Sequence, residues 1–181
     1  MDRVLIMKGE KVSLSVIMKE DLPLLWKWHN DREVRSFFPD SDTFTYLEDE
    51  YEWYDKIRKV KDKVRVFAVV ENDEEDPVGT VGFNKMDLKN GHAEIGYFMG
   101  KEYWGKGFAT EAVRLMTQYA FSHINLRKVY ATVNDGNAAS SRVLEKNGYS
   151  LVGRMKKHNY ISNIGFADML IYEKMKDSET I

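Results

Sequence analysis

The sequence contains no cysteine, and its positive and negative charges almost cancel. Without cysteine the chain forms no disulfides, no thiolate metal site and no cysteine nucleophile. Because 27 lysine and arginine residues stand against 29 aspartate and glutamate residues, the basic excess of a nucleic-acid binder is missing, and we expect no nucleic-acid partner. No apolar run is long enough to span a bilayer, and the first residues lack the apolar core of a signal peptide. We therefore expect a cytoplasmic chain with no membrane partner.

Metal-ligating clusters are also lacking. The four histidines, at positions 29, 92, 123 and 158, are scattered and show no ligand spacing. We predict that the protein binds no metal.

Apolar periodicity predicts a single domain over residues 1–181 with a mixed α/β fold. The centre of the chain reads as an antiparallel meander, in which Asn90-Gly91 is a strong hairpin signal. The second half alternates strands with helices, which places helices against a mixed sheet. We predict about seven strands, over 12–16, 64–70, 78–83, 92–99, 129–133, 149–152 and 166–175. We predict about four helices, one from Asp21, one between Phe44 and Ile57, one from near Thr110 and one over 137–147, and a loop over 153–165.

A glycine-rich segment, residues 100–112, links a predicted strand to the long helix. Small residues at positions 105, 107 and 109 allow a tight turn, and a helix start adds unpaired N–H groups and the positive end of its dipole. This combination predicts a pyrophosphate cradle, with Lys106 adding a positive charge at the rim.

Three other interpretations of this segment stay open. The spacing Gly100-x-x-x-x-Gly105-Lys106 is that of a P-loop, but Gly107 stands where a serine or threonine must hold Mg²⁺. A dinucleotide fingerprint needs another glycine spacing near an early strand, and Phe108-Ala109-Thr110 breaks it. The segment could also be a glycine turn without a ligand.

Four segments, in order along the chain, resemble the GNAT superfamily of N-acetyltransferases. Trp104-Gly105-Lys106-Gly107-Phe108-Ala109 follows the family's coenzyme A motif, Gln/Arg-x-x-Gly-x-Gly/Ala, except at its first position. The longer form of this motif is similar to the branch that contains ribosomal-protein N-terminal acetyltransferases. The other three segments are Asp21 with Trp28-His29-Asn30-Asp31, then Ala93-Glu94-Ile95-Gly96-Tyr97, and then 137–149. The resemblance covers nearly the whole chain.

The resemblance implies a mostly antiparallel sheet whose strands splay apart where acetyl-coenzyme A binds as co-substrate. The strand around Phe98 would hydrogen-bond the pantetheine amides, the glycine turn would hold the pyrophosphate, and the last helix would reach the pantetheine arm. Asn137 has an alternative role as the cap of that helix. The implied cofactor-binding residues are Tyr97, Phe98, Met99, Trp104, Gly105, Lys106, Gly107, Phe108, Ala109, Thr110, Asn137 and Ser140.

Direct attack by an amine on the thioester requires a base, an oxyanion donor and a proton for the thiolate. We expect Glu94 to be the base, directly or through water, although an inter-strand ion pair would explain it equally well. Many family members use a tyrosine as the acid where this sequence has Leu144, so Ser140 is the candidate here, unless it is only a helix-turn hydroxyl. His158 and Tyr160 in the predicted loop could also face the substrate.

The acceptor amine stays open between two main classes. The form of the motifs favours a protein N-terminus. The chain also resembles spermidine acetyltransferases in its general architecture and in the helix pattern Tyr119-Ala120-Phe121, which favours a polyamine. A polyamine is favoured as well by an acidic segment that could act as a negative rim, unless it is simply a solvated helix face. Its members are Asp40, Asp42, Glu48, Asp49, Glu50, Glu52 and Asp55. Other small amines, a coenzyme A-binding module without catalysis and a homodimer joined through aromatic surface are further hypotheses.

Overall fold

The computed structural model describes residues 3–36, 38, 43–72, 74–161 and 164–177. Within them lie the strands β1 (Leu5–Lys8), β2 (Val12–Ser15), β3 (Arg65–Glu71), β4 (Pro77–Asp87), β5 (His92–Met99), β6 (Lys128–Asn134), β7 (Ser150–Ile161) and β8 (Gly165–Met175). The α-helices of the same residues are α1 (Leu22–His29), α2 (Arg32–Arg35), α3 (Leu47–Lys59), α4 (Phe108–Tyr119) and α5 (Ala138–Lys146). No helix in this part of the chain is long and apolar enough to cross a membrane.

All eight strands belong to one sheet, in the order β1-β2-β3-β4-β5-β6-β8-β7. Neighbouring strands are antiparallel except β5 and β6, which run parallel. Those two pair only over His92–Glu94 and Lys128–Tyr130, although both strands continue for several residues more. Beyond Glu94 they splay apart, which confirms the mixed, mostly antiparallel sheet with an opening between two strands.

The sheet buries a separate core on each face. Successive side chains of β3 pack into different cores, because side chains of a strand point alternately to opposite faces of the sheet. Phe67 and Val69 pack with the residues of α4, whereas Ala68 and Val70 pack with those of α1. Full burial of a leucine or methionine contributes about 1.5–3 kcal/mol. This burial fixes α4 against one face of the sheet and α1 against the other.

The number of elements and the bounds of the long helix differ from the sequence prediction. The structure adds β1, so the described residues hold eight strands rather than seven. β1 lies at the edge of the sheet with Leu5 half exposed, and its apolar run, from Val4 to Met7, is only four residues long. The short helix α2 was not predicted either. The long helix begins at Phe108 rather than near Thr110, and it continues as a π-helix over Ala120–Ile124.

The predicted loop over 153–165 is wrong, because residues up to Ile161 continue β7. β7 is the outermost strand beside β8, and nearly all of its side chains are exposed. Backbone pairing with β8 therefore holds the strand without an apolar alternation that a sequence pattern would reveal. His158 and Tyr160 accordingly lie on an exposed edge strand and not in a loop.

Candidate active site

The opening between β5 and β6 exposes main-chain groups of β5. The N–H of Gly100 donates to the carbonyl of Val78, and alternate residues of an antiparallel strand bond to the same neighbour. By this alternation Phe98 pairs with β4, whereas Tyr97 and Met99 turn their N–H and C=O groups towards the opening. Of the three residues expected to bind pantetheine amides, Phe98 is therefore the one whose main chain faces away.

A cavity of about 380 Å³ occupies the opening. Both predicted catalytic residues line it, together with three of the predicted cofactor-binding residues. These five residues are Glu94, Tyr97, Phe98, Asn137 and Ser140. They come from β5 and the start of α5, so the fold brings residues more than 40 positions apart into one cavity.

The glycine turn leads from the end of β5 into the helix α4. Gly105 and Gly107 have φ angles of 77° and 85°, in the left-handed region that residues with a Cβ rarely adopt. Gly107 directly precedes the helix, whose first intrahelical hydrogen bond runs from the Glu111 N–H to the Gly107 carbonyl. The N–H groups of Phe108, Ala109 and Thr110 precede that bond and point out of the helix start. The turn thus has the conformation of an anion cradle.

Two lysines flank this turn, and only one was predicted. The ammonium of Lys106 lies 5.0 Å from the ring centroid of Tyr103 and 5.6 Å from that of Phe108. Lys11 donates from its Nζ to the Lys106 carbonyl at 3.3 Å. Lys11 lies almost 100 positions earlier in the chain, so no local motif could have identified it.

Glu111 ties the β1–β2 turn to the start of α4. Its carboxylate accepts the main-chain N–H groups of Lys11 at 2.9 Å and Val12 at 3.3 Å, and that of Glu10. Burial raises the pKa of Glu111, but these hydrogen bonds outweigh it and hold the pKa below its usual value. Glu111 thereby positions Lys11 beside the glycine turn.

Trp104 connects the glycine turn to the end of β5 by a hydrogen bond. Its indole N–H donates to the Met99 carbonyl at 2.9 Å, while about half of its surface stays exposed. The Met99 carbonyl is therefore already bonded within the chain, which leaves the Met99 N–H and both main-chain groups of Tyr97 facing the opening.

Ser140 lies in the first turn of α5 and is held from two sides. Its N–H donates to Asn137 Oδ1 at 3.1 Å, so Asn137 caps the helix as the alternative interpretation proposed. The Ser140 hydroxyl lies 2.8 Å from the hydroxyl of Tyr97. Burial raises the pKa of Tyr97 to about 12, although the hydrogen bond with Ser140 opposes the rise. Leu144, where a tyrosine acid was sought, is fully buried in the core.

Glu94 forms the inter-strand ion pair that was the alternative to its role as the base. Its carboxylate forms an ion pair with Lys85 on β4 at 2.9 Å and accepts the Thr132 hydroxyl of β6 at 2.8 Å. The hydrogen bond and charge of Glu94 raise the pKa of Lys85. Glu94 also lines the cavity, so the inter-strand pair orients the carboxylate at the point where the strands separate.

The opposite wall of the cavity was not predicted from the sequence. It contains His29 from the end of α1, Phe38, and Trp53 from α3. His29 packs on Phe98 with ring centroids 4.6 Å apart, and its Nδ1 contacts the carboxylate of Glu50. Helices distant in sequence meet here, so no motif could identify the pairing.

None of the described members of the acidic segment lines the cavity. Asp49 accepts the Tyr46 N–H at the start of α3, and Asp55 pairs with Arg58. Glu50 is buried behind His29. Asp40 and Asp42 lie outside the described residues.

Two further expectations concern β7 and metals. His158 and Tyr160 do not line the cavity, whereas Asn159 between them does. Within the described parts of the chain, no cluster of three histidine or acidic side chains could hold a metal ion.

Comparison with known proteins identifies similar sequences and folds. The family model "Acetyltransferase (GNAT) domain" matches residues 11–150. The chain is 30% identical to the uncharacterized N-acetyltransferase p20 of Bacillus licheniformis, over 82% of this chain and 84% of that protein. It is 28% identical to the spermidine N(1)-acetyltransferase of Escherichia coli (strain K12), over 85% and 81%. The structure of RimL, a ribosomal alpha-N-protein acetyltransferase in complex with coenzyme A, superposes with a TM-score of 0.84 at 20% identity, over 96% and 98%.

Proposed function

The chain belongs to the GNAT family of acetyl-coenzyme A-dependent N-acetyltransferases, and on that premise we propose that the amino terminus of a protein is its acceptor. We propose further that residues 1–181 form one catalytic domain in which the acceptor attacks the thioester directly, in a ternary complex. The observation that carries the choice of acceptor is the polar lining of the cavity, which is rich in amides and poor in carboxylates.

The cofactor side of the cleft fits acetyl-coenzyme A. Pantetheine carries two amides that match the main-chain groups of Tyr97 and Met99, much as an added strand would. A pyrophosphate matches the N–H groups from Gly105 to Thr110, with Lys106 and Lys11 beside it. When bound, the thioester supplies an acyl carbonyl that is open to attack by an amine.

Three groups of the chain serve the reaction in this proposal. Glu94, oriented by its ion pair with Lys85, accepts a proton from the acceptor nitrogen. The main-chain N–H of Met99 or Tyr97 donates to the developing oxyanion. Ser140, whose hydroxyl is held by Tyr97, donates a proton to the departing thiolate.

The cavity lining supports a peptide rather than a polycation. The side chains of Asn84, Asn134, Asn137 and Asn159 line it, and Glu94 is the one carboxylate among the described lining residues. Amides suit the alternating donors and acceptors of a peptide main chain. A polyamine would instead need a carboxylate for each additional ammonium group.

A polyamine is the second candidate, and two observations favour it. The relative from Escherichia coli that matches most of the chain acts on spermidine. The buried carboxylate of Glu50 also lies directly behind the cavity wall, where it could balance one additional positive charge.

Thiol release from acetyl-coenzyme A tests the proposal with a panel of amines. We expect turnover with peptides that begin with serine or alanine and little with spermidine, amino sugars or free amino acids. A preference for spermidine would replace the proposed acceptor by the polyamine. Cofactor binding without turnover of any amine would indicate a binding module that has lost catalysis.

A further inference from the structure

His29 and Glu50 form a pair that the proposed chemistry does not use. We propose that this pair is a second proton acceptor of the active site, which takes the first proton from the acceptor ammonium before Glu94 takes the second. The inference rests on the proposed reaction but does not depend on which amine is the acceptor.

The pair has the geometry of an oriented base. Glu50 is only 4% exposed, and its carboxylate contacts Nδ1 of His29. Because a carboxylate accepts, the neutral ring carries its proton on Nδ1, which leaves the lone pair on Nε2. Within the described residues Glu50 is the hydrogen-bond partner of this ring, and His29 lines the cavity. Nε2 is therefore free to accept a proton from a ligand in the cavity.

The surrounding residues fix the ring of His29 in place. Phe98 packs against it at 4.6 Å between centroids. Arg35 of α2 donates from Nη1 to the His29 carbonyl at 2.9 Å. Among the described residues, the charged groups near the pair are Arg35 from α2 and, across the cavity, Glu94 from β5. A base held by a carboxylate and by packing needs little reorganisation when it receives a proton.

The acceptor fits between His29 and Glu94. Residues 94, 96 and 98 share one face of β5, because side chains of a strand alternate. Glu94 and Phe98 stand on either side of Gly96, and His29 covers Phe98. The amide of Asn84 occupies the space over Gly96, since its Nδ2 would lie 2.6 Å from a Cβ at position 96. An amine nitrogen in the cavity beside this amide would lie between the two proton acceptors, with Glu94 reached directly or through water.

Two acceptors match the two protons that the nitrogen must lose. The acceptor arrives as R–NH₃⁺ and gives one proton to His29 Nε2, which forms an imidazolium beside the Glu50 carboxylate. The lone pair of the amine then forms the C–N bond, the second proton passes to Glu94, and the C–S bond breaks with its electrons on sulfur. Ser140 protonates the thiolate and regains a proton from Glu94 through water. The imidazolium loses its proton to solvent, so one proton is released for each acetyl group.

Replacement of His29 by asparagine separates this role from a structural one. In His29→Asn the side-chain N–H can still donate to Glu50, so the contact between α1 and α3 is kept while the Nε2 lone pair is lost. We expect kcat to fall by about 100-fold, within the range for loss of a general base. The KM for acetyl-coenzyme A and the Tm should stay close to wild type. The assay uses whichever amine of the panel the wild-type enzyme acetylates, so a wrong choice of acceptor class does not affect the test.

Chemical rescue provides the decisive readout. His29→Ala opens space beside Glu50, and we expect free imidazole in the buffer to restore part of its turnover. In the double variant with Glu50→Gln, more imidazole should be needed for half of the rescue, because the carboxylate that orients it is gone. His123→Ala is the matched control, since His123 is exposed and stacks on Tyr119 away from the cavity. Wild-type kcat in His29→Asn, or a loss in His29→Ala that imidazole does not relieve, would overturn the proposal.

Discussion

In the proposed function, the cofactor side and the acceptor side of the cleft are built from different kinds of group. The cofactor side uses main-chain N–H and C=O groups of β5, the glycine turn and the start of α4, which are contiguous in sequence. The acceptor side uses side chains of α1, α3, β4, β5, β6 and β7 that only the fold brings together. Changes on the cofactor side should therefore act on binding, and changes on the acceptor side should act on turnover.

The largest expected effect is on the cofactor side, at Gly107. Gly107→Glu forces a side chain into a φ of 85° and places a carboxylate against the pyrophosphate. We expect the affinity for coenzyme A to fall by 100-fold or more, equivalent to about 2.7 kcal/mol, as measured by calorimetry.

Gly165 offers a matched control for that substitution. It has the same φ of 85° and nothing within 4 Å of its would-be Cβ, but it lies at the start of β8. Gly165→Glu imposes the same backbone strain and charge away from the turn. Equal loss of affinity in both variants, or none in Gly107→Glu, would remove the assignment of the glycine turn.

The next largest effect is expected on turnover, at Glu94. Glu94→Gln keeps the size of the side chain and its bond to Thr132 but removes the base, so kcat should fall by about 100-fold while cofactor affinity changes little. Steady-state kinetics from pH 6 to 9 measures the change in kcat. Lys85→Met is the control, because it breaks the inter-strand ion pair but leaves the carboxylate. If Glu94→Gln keeps its turnover across this range, the base lies elsewhere.

The same division explains how much of the molecule could be predicted from its sequence. A tight glycine turn leaves a local signature in the sequence, and Gly105 and Gly107 therefore predicted the turn and the helix that follows it. The strand β3 was equally predictable, because both of its faces are buried and residues 64–70 therefore form a mostly apolar run. Exposed strands such as β7 carry no such pattern, so residues 153–161 were misassigned.

Contacts between distant side chains were beyond the reach of the sequence. Lys11 reaches the turn only because Glu111 holds the β1–β2 turn against α4. His29 and Glu50 meet only after α1 and α3 pack together. Glu50 was noticed as one member of an acidic segment, but its burial makes it different from the exposed members.

A smaller effect is expected where the two sides meet, at Ser140 and Tyr97. Ser140→Ala should lower kcat by about 10-fold or more if its hydroxyl protonates the thiolate. Tyr97→Phe should lower kcat less, since it only releases that hydroxyl from its partner. In a double-mutant cycle, Tyr97→Phe should cost no further turnover once Ser140 is alanine. An additive loss of kcat in the double variant would contradict the positioning role of Tyr97.

The smallest effect on cofactor binding or turnover is expected at Glu111, whose substitution acts mainly on stability. The pKa of Glu111 is lowered in the folded protein. The Glu111 carboxylate therefore stabilises the fold at pH values above its pKa in the unfolded chain, near 4.5. This contribution is lost as the pH falls through the pKa of the folded protein.

Glu111→Gln keeps one acceptor oxygen but loses the charge, so we expect it to destabilise the protein by about 1.5–3 kcal/mol at pH 7. In urea unfolding, the difference from wild type should shrink below pH 4.5. The released β1–β2 turn would also move Lys11, so coenzyme A affinity should fall a few-fold while kcat is kept. If the difference in the free energy of unfolding between wild type and Glu111→Gln stays constant down to pH 3, the negative charge of Glu111 is not what stabilises the fold.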